Sequence, residues 1–181
     1  MKVQMMAAVV AVMLAGTARA ADVQGPWIEA RAGWDKFDGN SGLVYGGAVG
    51  YDFAVSDKIF LGLQAGLAGS TVEECFEGVC ANAGRDIEVL ARLGGNVAGK
   101  TALYALAGYA NSRFGGSFAD LNFGTNLDGL RLGAGVQQGF GGNTYGKLEY
   151  RFTSYGDGEI EGEPIEGGDR HQVSVSFGIR F

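Results

Sequence analysis

His171 is the only histidine in the chain, so a reaction that needs an imidazole base has one candidate. Ser174 follows it by three positions, an odd spacing that sends the two side chains to opposite faces of a strand. The adjacent nucleophile and base of serine-dependent hydrolysis are therefore not expected here, and a serine would have to approach from a neighbouring strand. Cys75 and Cys80 are the only cysteines. A disulfide between them would close a very small loop, for which chain entropy estimates a gain of roughly 2 kcal/mol. Half of a metal site is the competing reading, but a tetrahedral zinc shell finds little support in two thiolates far in sequence from the lone imidazole. The disulfide is the favoured expectation.

Two further segments imitate ligand motifs. The stretch from Gly156 to Asp169 is acidic and Gly-rich, with Asp157, Glu159, Glu161 and Glu163 at alternate positions. It lacks the D-x-D-x-D-G order of a defined calcium loop, and a solvated surface loop accounts for it. Gly133-Ala134-Gly135-Val136-Gln137-Gln138-Gly139 imitates a dinucleotide fingerprint, but its last glycine stands one position late and no βαβ pattern surrounds it. No catalytic residue, metal ligand or cofactor site is assigned.

The elements that must carry these residues are strands. Lys2, the apolar run from Met5 to Ala15, and Thr17-Ala18-Arg19-Ala20 before Ala21 form a secretory signal with a small-residue cleavage site. Residues 1–20 are therefore expected to be removed and 21–181 to form one domain. An exported chain meets an oxidising compartment, which suits the Cys75–Cys80 bond. The formal net charge of −6 loses two positive charges, Lys2 and Arg19, with the signal. An acidic chain of this kind is unsuited to nucleic acid, which calls for a basic patch.

From Trp27 onward apolar residues recur at every second position in eight runs of about ten residues, the length a tilted strand needs to cross hydrocarbon. Ile28, Ala30, Ala32 and Trp34 oppose Glu29, Arg31, Gly33 and Asp35. In the second run Tyr45, Val49, Tyr51 and Phe53 oppose Gly46, Ala48, Gly50 and Asp52. The third, Lys58 to about Ser70, breaks its alternation only at Phe60, and the fourth, Arg85 to Val97, only at Leu90. The fifth, Thr101 to Arg113, is apolar on both faces, and its inward side stays open. Leu130, Leu132, Ala134 and Val136 oppose Arg131, Gly133, Gly135 and Gln137 in the sixth; Leu148, Tyr150 and Phe152 oppose Lys147, Glu149, Arg151 and Thr153 in the seventh. The last sets Val173, Val175, Phe177, Ile179 and Phe181 against Gln172, Ser174, Ser176, Gly178 and Arg180.

Short connections near 55–57, 98–100 and 141–143 alternate with longer ones at 37–42, 71–84, 114–128 and 156–170, the pattern of an outer-membrane barrel with its termini in the periplasm. A soluble eight-stranded barrel would have to pack every large apolar side chain into a lumen that is too narrow, while Gly and Ala faced water. The reverse orientation puts small residues and charges inside and large apolar residues against lipid. The expected fold is thus all-β, an eight-stranded antiparallel up-and-down transmembrane β-barrel in the outer membrane. Trp27, Trp34, Tyr45, Tyr145 and Tyr155 lie near strand ends and are expected in the interfacial aromatic girdles.

The residues that would then face the lumen are Glu29, Arg31, Asp35, Asp52, Glu88, Arg92, Arg131, Lys147, Glu149, Arg151 and Arg180, with both signs almost equally represented. A buried unpaired charge is costly, so they are expected to pair. The expected centre is Glu149 with Arg31, Arg92 and Arg151, with a contact from Glu29 to Arg180 where the last strand meets the first.

Gly108-Tyr109-Ala110-Asn111, Leu148-Glu149-Tyr150-Arg151-Phe152 and the closing His171 to Phe181 are the segments through which the chain resembles the small OmpA-like outer-membrane β-barrel family, including the porin-like surface proteins of alphaproteobacteria. The resemblance spans about Trp27 to Phe181. It implies that Phe181, with Ile179 and Phe177 before it, is read by the barrel assembly machinery, that outer-membrane lipids surround the wall, and that a host or envelope ligand of unidentified chemistry is a possible partner. A periplasmic peptidoglycan-binding domain after the barrel is not expected, nor is a cell-wall tether. Three functions stay open in this order: a structural or surface-interaction barrel with a plugged lumen, a small-solute porin, and a lipid A-modifying enzyme.

Overall fold

The computed structural model describes residues 23–37, 40–71, 73–76, 79–118, 121–156, 158–160, 163–165 and 168–181; within these, 73–76, 79–83, 114–118, 121–125, 158–160 and 163–165 are described by their backbone alone. The strands are β1 (Gly25–Phe37), β2 (Asn40–Ala54), β3 (Ile59–Ser70), β4 (Glu73–Phe76), β5 (Val79–Ala98), β6 (Thr101–Phe118), β7 (Leu121–Gly141), β8 (Thr144–Tyr155), β9 (Gly158–Ile160), β10 (Glu163–Ile165) and β11 (Asp169–Arg180). Eight of them, β1, β2, β3, β5, β6, β7, β8 and β11, form an antiparallel up-and-down barrel. Each pairs with its neighbour in sequence, β3 pairs with β5, and β1 pairs with β11 to close the ring, Trp27 opposite Arg180 and Phe37 opposite Arg170. Closure leaves no open edge, which a sheet in hydrocarbon cannot tolerate.

The period of two sorts the side chains sharply. Large apolar residues such as Leu63 and Val175 are each 58% exposed on the outer wall, while Asp52, Glu88, Arg92 and Arg131 are fully buried. A continuous apolar exterior around a charged interior suits lipid outside and would be an aggregation surface in water. The open fifth run resolves as Leu103, Ala105, Ala107 and Tyr109 outward and Ala102, Tyr104, Leu106 and Ala110 inward. Phe60 and Leu90, the two breaks in the alternation, also point inward. They pack with Val23, Ala102, Tyr104 and Leu106 in an apolar layer inside the barrel.

Two sequence expectations need correction. Trp27 (2% exposed), Tyr145 (2%) and Tyr155 (5%) are lumen residues, not girdle aromatics, whereas Trp34 and Tyr45 do face outward. Trp27 shares its parity with Glu29 and Arg31, and Tyr145 and Tyr155 share theirs with Lys147 and Glu149. Strand geometry outranks the interfacial preference of the residue type. The segments expected as loops at 71–84 and 114–128 are largely strand: β4 pairs with β5, Cα of Cys75 opposite Cys80, and β6 pairs with β7 as far as Phe118 opposite Leu121. Hydrogen-bonded ribbons thus continue past the apolar wall. The side chains of Cys75 and Cys80 lie outside the described residues.

The opposite end is tight. Gly99 and Gly142 both take φ near +56° in the short turns before β6 and β8, a conformation that favours glycine. Residues 55–58 form the third turn, with Val55 and Ser56 both donating from backbone N to the Ile59 carbonyl.

Candidate lumen charge network

Inward positions are scarce in so narrow a barrel, and the sequence fills them with long charged side chains set against glycine. The pairing between strands depends on this. A Cβ on Gly66 would stand 2.6 Å from Glu88 Oε1, and one on Gly62 would stand 2.0 Å from Asp52 Oδ1. The bare backbone of β3 makes the room in which both carboxylates sit.

At the turn end, Asp52 accepts from Arg92 Nη1 at 3.2 Å and Arg180 Nη2 at 2.9 Å, while Arg180 Nη1 also donates to the Gly25 carbonyl at 3.2 Å. Lys147 Nζ lies 2.5 Å from Glu29 Oε2, to which the Tyr145 hydroxyl also donates at 3.1 Å. Aromatic faces complete this layer. The Arg92 guanidinium is 4.4 Å from the Tyr104 ring centroid and 5.1 Å from that of Trp27, and Lys147 Nζ is 4.0 Å from the Trp27 ring. Such contacts strengthen away from water, which accounts for aromatic residues turned inward beside cations.

Midway, Glu88 is the hub. Arg31 Nη1 reaches its Oε1 at 2.5 Å, Arg151 Nη1 lies 3.1 Å from the same oxygen, Arg131 Nη1 donates to Oε2, and Gln64 Nε2 donates at 3.3 Å. Glu149 is bound more simply, by the Tyr104 hydroxyl at 2.6 Å and by Arg151. Toward the outer end, Arg131 Nη2 passes to Asp86 at 2.9 Å. Arg170 Nη1 lies 3.4 Å from Asp86, and its Nη2 lies 2.5 Å from Asp35 Oδ2, which also accepts from Ser70 at 2.6 Å. Contacts therefore run from the Tyr104–Glu149 pair through Glu88 to the outer rim, with the Asp52 and Glu29 groups beneath.

Every lumen charge expected from the sequence is buried, and Glu149 does meet Arg151, but the other partners differ from the expected ones. Glu88, not Glu149, collects the arginines: Arg31 goes to Glu88 and Arg92 to Asp52. Arg180 meets Asp52, and Glu29 meets Lys147. Register across the barrel sets these pairs, and alternation within one strand carries no register. Asp86 and Arg170 were missing from the sequence reading although both are buried. Their parity with Glu88 and Gln172 was the available signal; the loop expected at 156–170 obscured Arg170, whereas Asp86 already lay within the fourth run.

The remaining candidates are separated by the wall. His171 is exposed outside, its Nδ1 2.8 Å from the Tyr150 hydroxyl and its ring 5.2 Å from that of Phe152, while Ser174 is buried in the lumen. Phe177, Ile179 and Phe181 line the outer wall, with Phe177 stacked on Phe140 at 6.2 Å. Above the apolar band, Asn111 Nδ2 donates to Asp128 Oδ1 at 2.6 Å and the Tyr109 hydroxyl donates to the same oxygen, tying β6 to β7 where they leave the membrane.

The family model of the outer membrane protein beta-barrel domain matches residues 5–181. Among solved structures, the attachment invasion locus protein Ail of Yersinia pestis is similar at a TM-score of 0.61 and 16% identity, covering 87% of this chain and 99% of that one. Ail in complex with the heparin analogue sucrose octasulfate is similar to the same degree. Neisserial surface protein A (NspA) gives 0.60 at 12% identity over 87% of this chain and 97% of its own. The N-terminal β-barrel domain of Pseudomonas aeruginosa OprF gives 0.50 at 19%, over 84% and 97%. At these identities the likeness is one of fold. No curated protein matches this chain.

Proposed function

The chain belongs to the outer membrane protein beta-barrel domain family, and from that premise we propose that it is a non-conducting outer-membrane scaffold, its lumen closed by paired side chains and its outer hairpins presenting an acidic surface. One observation carries this reading: Glu88, fully buried at mid-lumen, is engaged at once by Arg31 of β1, Arg131 of β7 and Arg151 of β8. Side chains from opposite walls meeting on one carboxylate leave little cross-section for a solute. Opening such a network would strand buried charges at several kcal/mol each.

Function then lies in the outer segments, since recognition is concentrated on loops held by a rigid scaffold. Asp157, Glu159, Glu161, Glu163, Glu166 and Asp169 occupy one of these segments and Glu73, Glu74 and Glu77 another, against Lys36, Arg85 and Arg113 nearby. Ail is known in complex with a heparin analogue, a polyanion. The acidic balance of this chain favours a cationic partner instead. The reading assigns no enzymatic role: His171 and Ser174 are divided by the wall. It includes removal of residues 1–20 on export, a Cys75–Cys80 bond in the β4–β5 hairpin, and recognition of Phe177, Ile179 and Phe181 by the assembly machinery.

Single-channel recording of the refolded protein in a planar bilayer tests it, with folding checked by heat-modifiable mobility in gels. A folded but silent barrel is expected. Reproducible discrete conductance steps would overturn the closed lumen and put the small-solute porin first.

A further inference from the structure

The outer wall is not uniformly filled. Between β1, β2 and β3 it is indented by a recess of about 880 Å³, floored by Gly47 and Ala65 and walled by Ile28, Tyr45, Val49 and Leu67. Registers explain the hollow. Ala30, Gly47 and Leu67 form one row, and Ile28, Val49 and Ala65 the next, so small residues fall on a diagonal between large ones. At its outer end the row Tyr45, Gly69, Arg85 caps the recess, with the tyrosine ring lying over Gly69. Tyr45 and Val49 are four residues apart on β2, which gives the recess a length of about 13 Å along the strand.

Apolarity cannot decide what fills it, because lipid tails are as apolar as the leucines around them. Shape and charge can. Arg85 is exposed at the outer end of the β3–β5 pairing, and its guanidinium has no hydrogen-bond or ion-pair partner among the described residues, in contrast to the buried arginines of the lumen. It stands beside segments rich in Glu and Asp, as the cation that adjoins the recess. A guanidinium adjoining an apolar recess at the outer end of the strands is complementary to a lipid carrying a phosphate on its outer-facing end.

We propose that this recess holds one acyl chain of a phosphorylated glycolipid of the outer leaflet, with its phosphate paired to Arg85. The glycolipid is the occupant because Arg85 and Tyr45 stand at the outer end of the strands, next to the long connections. The site is independent of whether the lumen conducts.

The test is native mass spectrometry of the protein released from phosphatidylcholine nanodiscs doped with bis-phosphorylated lipid A. Wild type should retain lipid A in preference to phosphatidylcholine. Arg85→Gln should reduce that preference about tenfold, the scale of one charge-assisted contact. Ala65→Leu, which fills the slot with a side chain like its neighbours Leu63 and Leu67, should reduce it as well. Dephosphorylated lipid A should lose the preference on the wild-type protein. Heat-modifiable mobility confirms that both variants are folded, and the silent or conducting state of each is read separately. Equal retention by wild type and both variants would overturn the site. So would equal enrichment of phosphatidylglycerol, which would assign the recess to phospholipid.

Discussion

Glu88 sits between three guanidiniums, and its neutralisation would take the carboxylate partner from Arg31 and one of two from each of Arg131 and Arg151, all of them buried. Removing one partner of a buried pair costs about 3 to 5 kcal/mol, because the other charge stays buried. Glu88→Gln should therefore shift the urea midpoint of the refolded barrel further than Glu149→Gln, since among the described residues Glu149 is bound only by Arg151 and the Tyr104 hydroxyl. Urea titrations followed by tryptophan fluorescence decide the ranking; an equal or larger loss at Glu149 would remove Glu88 from the centre of the network. Gly66 belongs to the same group, because the carboxylate occupies the space a side chain would need.

At the level of elements, the hairpins differ in height. β5, β6 and β7 run to 20, 18 and 21 residues, against 12 each for β3, β8 and β11. One side of the barrel therefore rises above the membrane as paired ribbon, with the Asp128 contacts from Tyr109 and Asn111 at its base. The β4–β5 hairpin has less to hold it, being four residues paired at its tip. A disulfide between Cys75 and Cys80 would pin that tip. We expect no free thiol in the purified protein before reduction, and loss of roughly 2 kcal/mol at most on reduction, in line with a very small closed loop. Thiol titration of the unfolded chain checks this, and two reactive thiols without reductant would exclude the bond.

For the whole molecule, closure depends on the last strand finding the first. β11 pairs with β1 along eleven positions from Trp27–Arg180 to Phe37–Arg170, and the Phe181 backbone N–H donates to the Pro26 carbonyl at 2.9 Å. Deleting Phe181 removes this bond and the terminal aromatic together. We expect a severalfold drop in outer-membrane yield in cells with little change in refolding in detergent micelles, the difference separating recognition during assembly from intrinsic stability. Equal losses in both would make Phe181 a packing residue alone.

The alternation of Ile28 to Asp35 or of Val173 to Arg180 determined wall and lumen directly, because successive side chains on a strand must point to opposite faces whatever surrounds them. That one local rule, with run length and the alternation of short and long connections, was enough for the barrel and its compartment. It also placed Trp27, Tyr145 and Tyr155 inward, had parity been preferred to residue type. The facing of Thr101 to Arg113 was not legible, since both faces are apolar and only pairing with β5 and β7 distinguishes them. Nor were the partners of the charges. Arg31 and Glu88 stand 57 positions apart and meet because the stagger of the closed sheet brings β1 and β5 to the same depth. The recess beside Arg85 likewise arises from residues on different strands. Tertiary structure decided these, because register between strands distant in sequence is a property of the closed barrel and of no single segment.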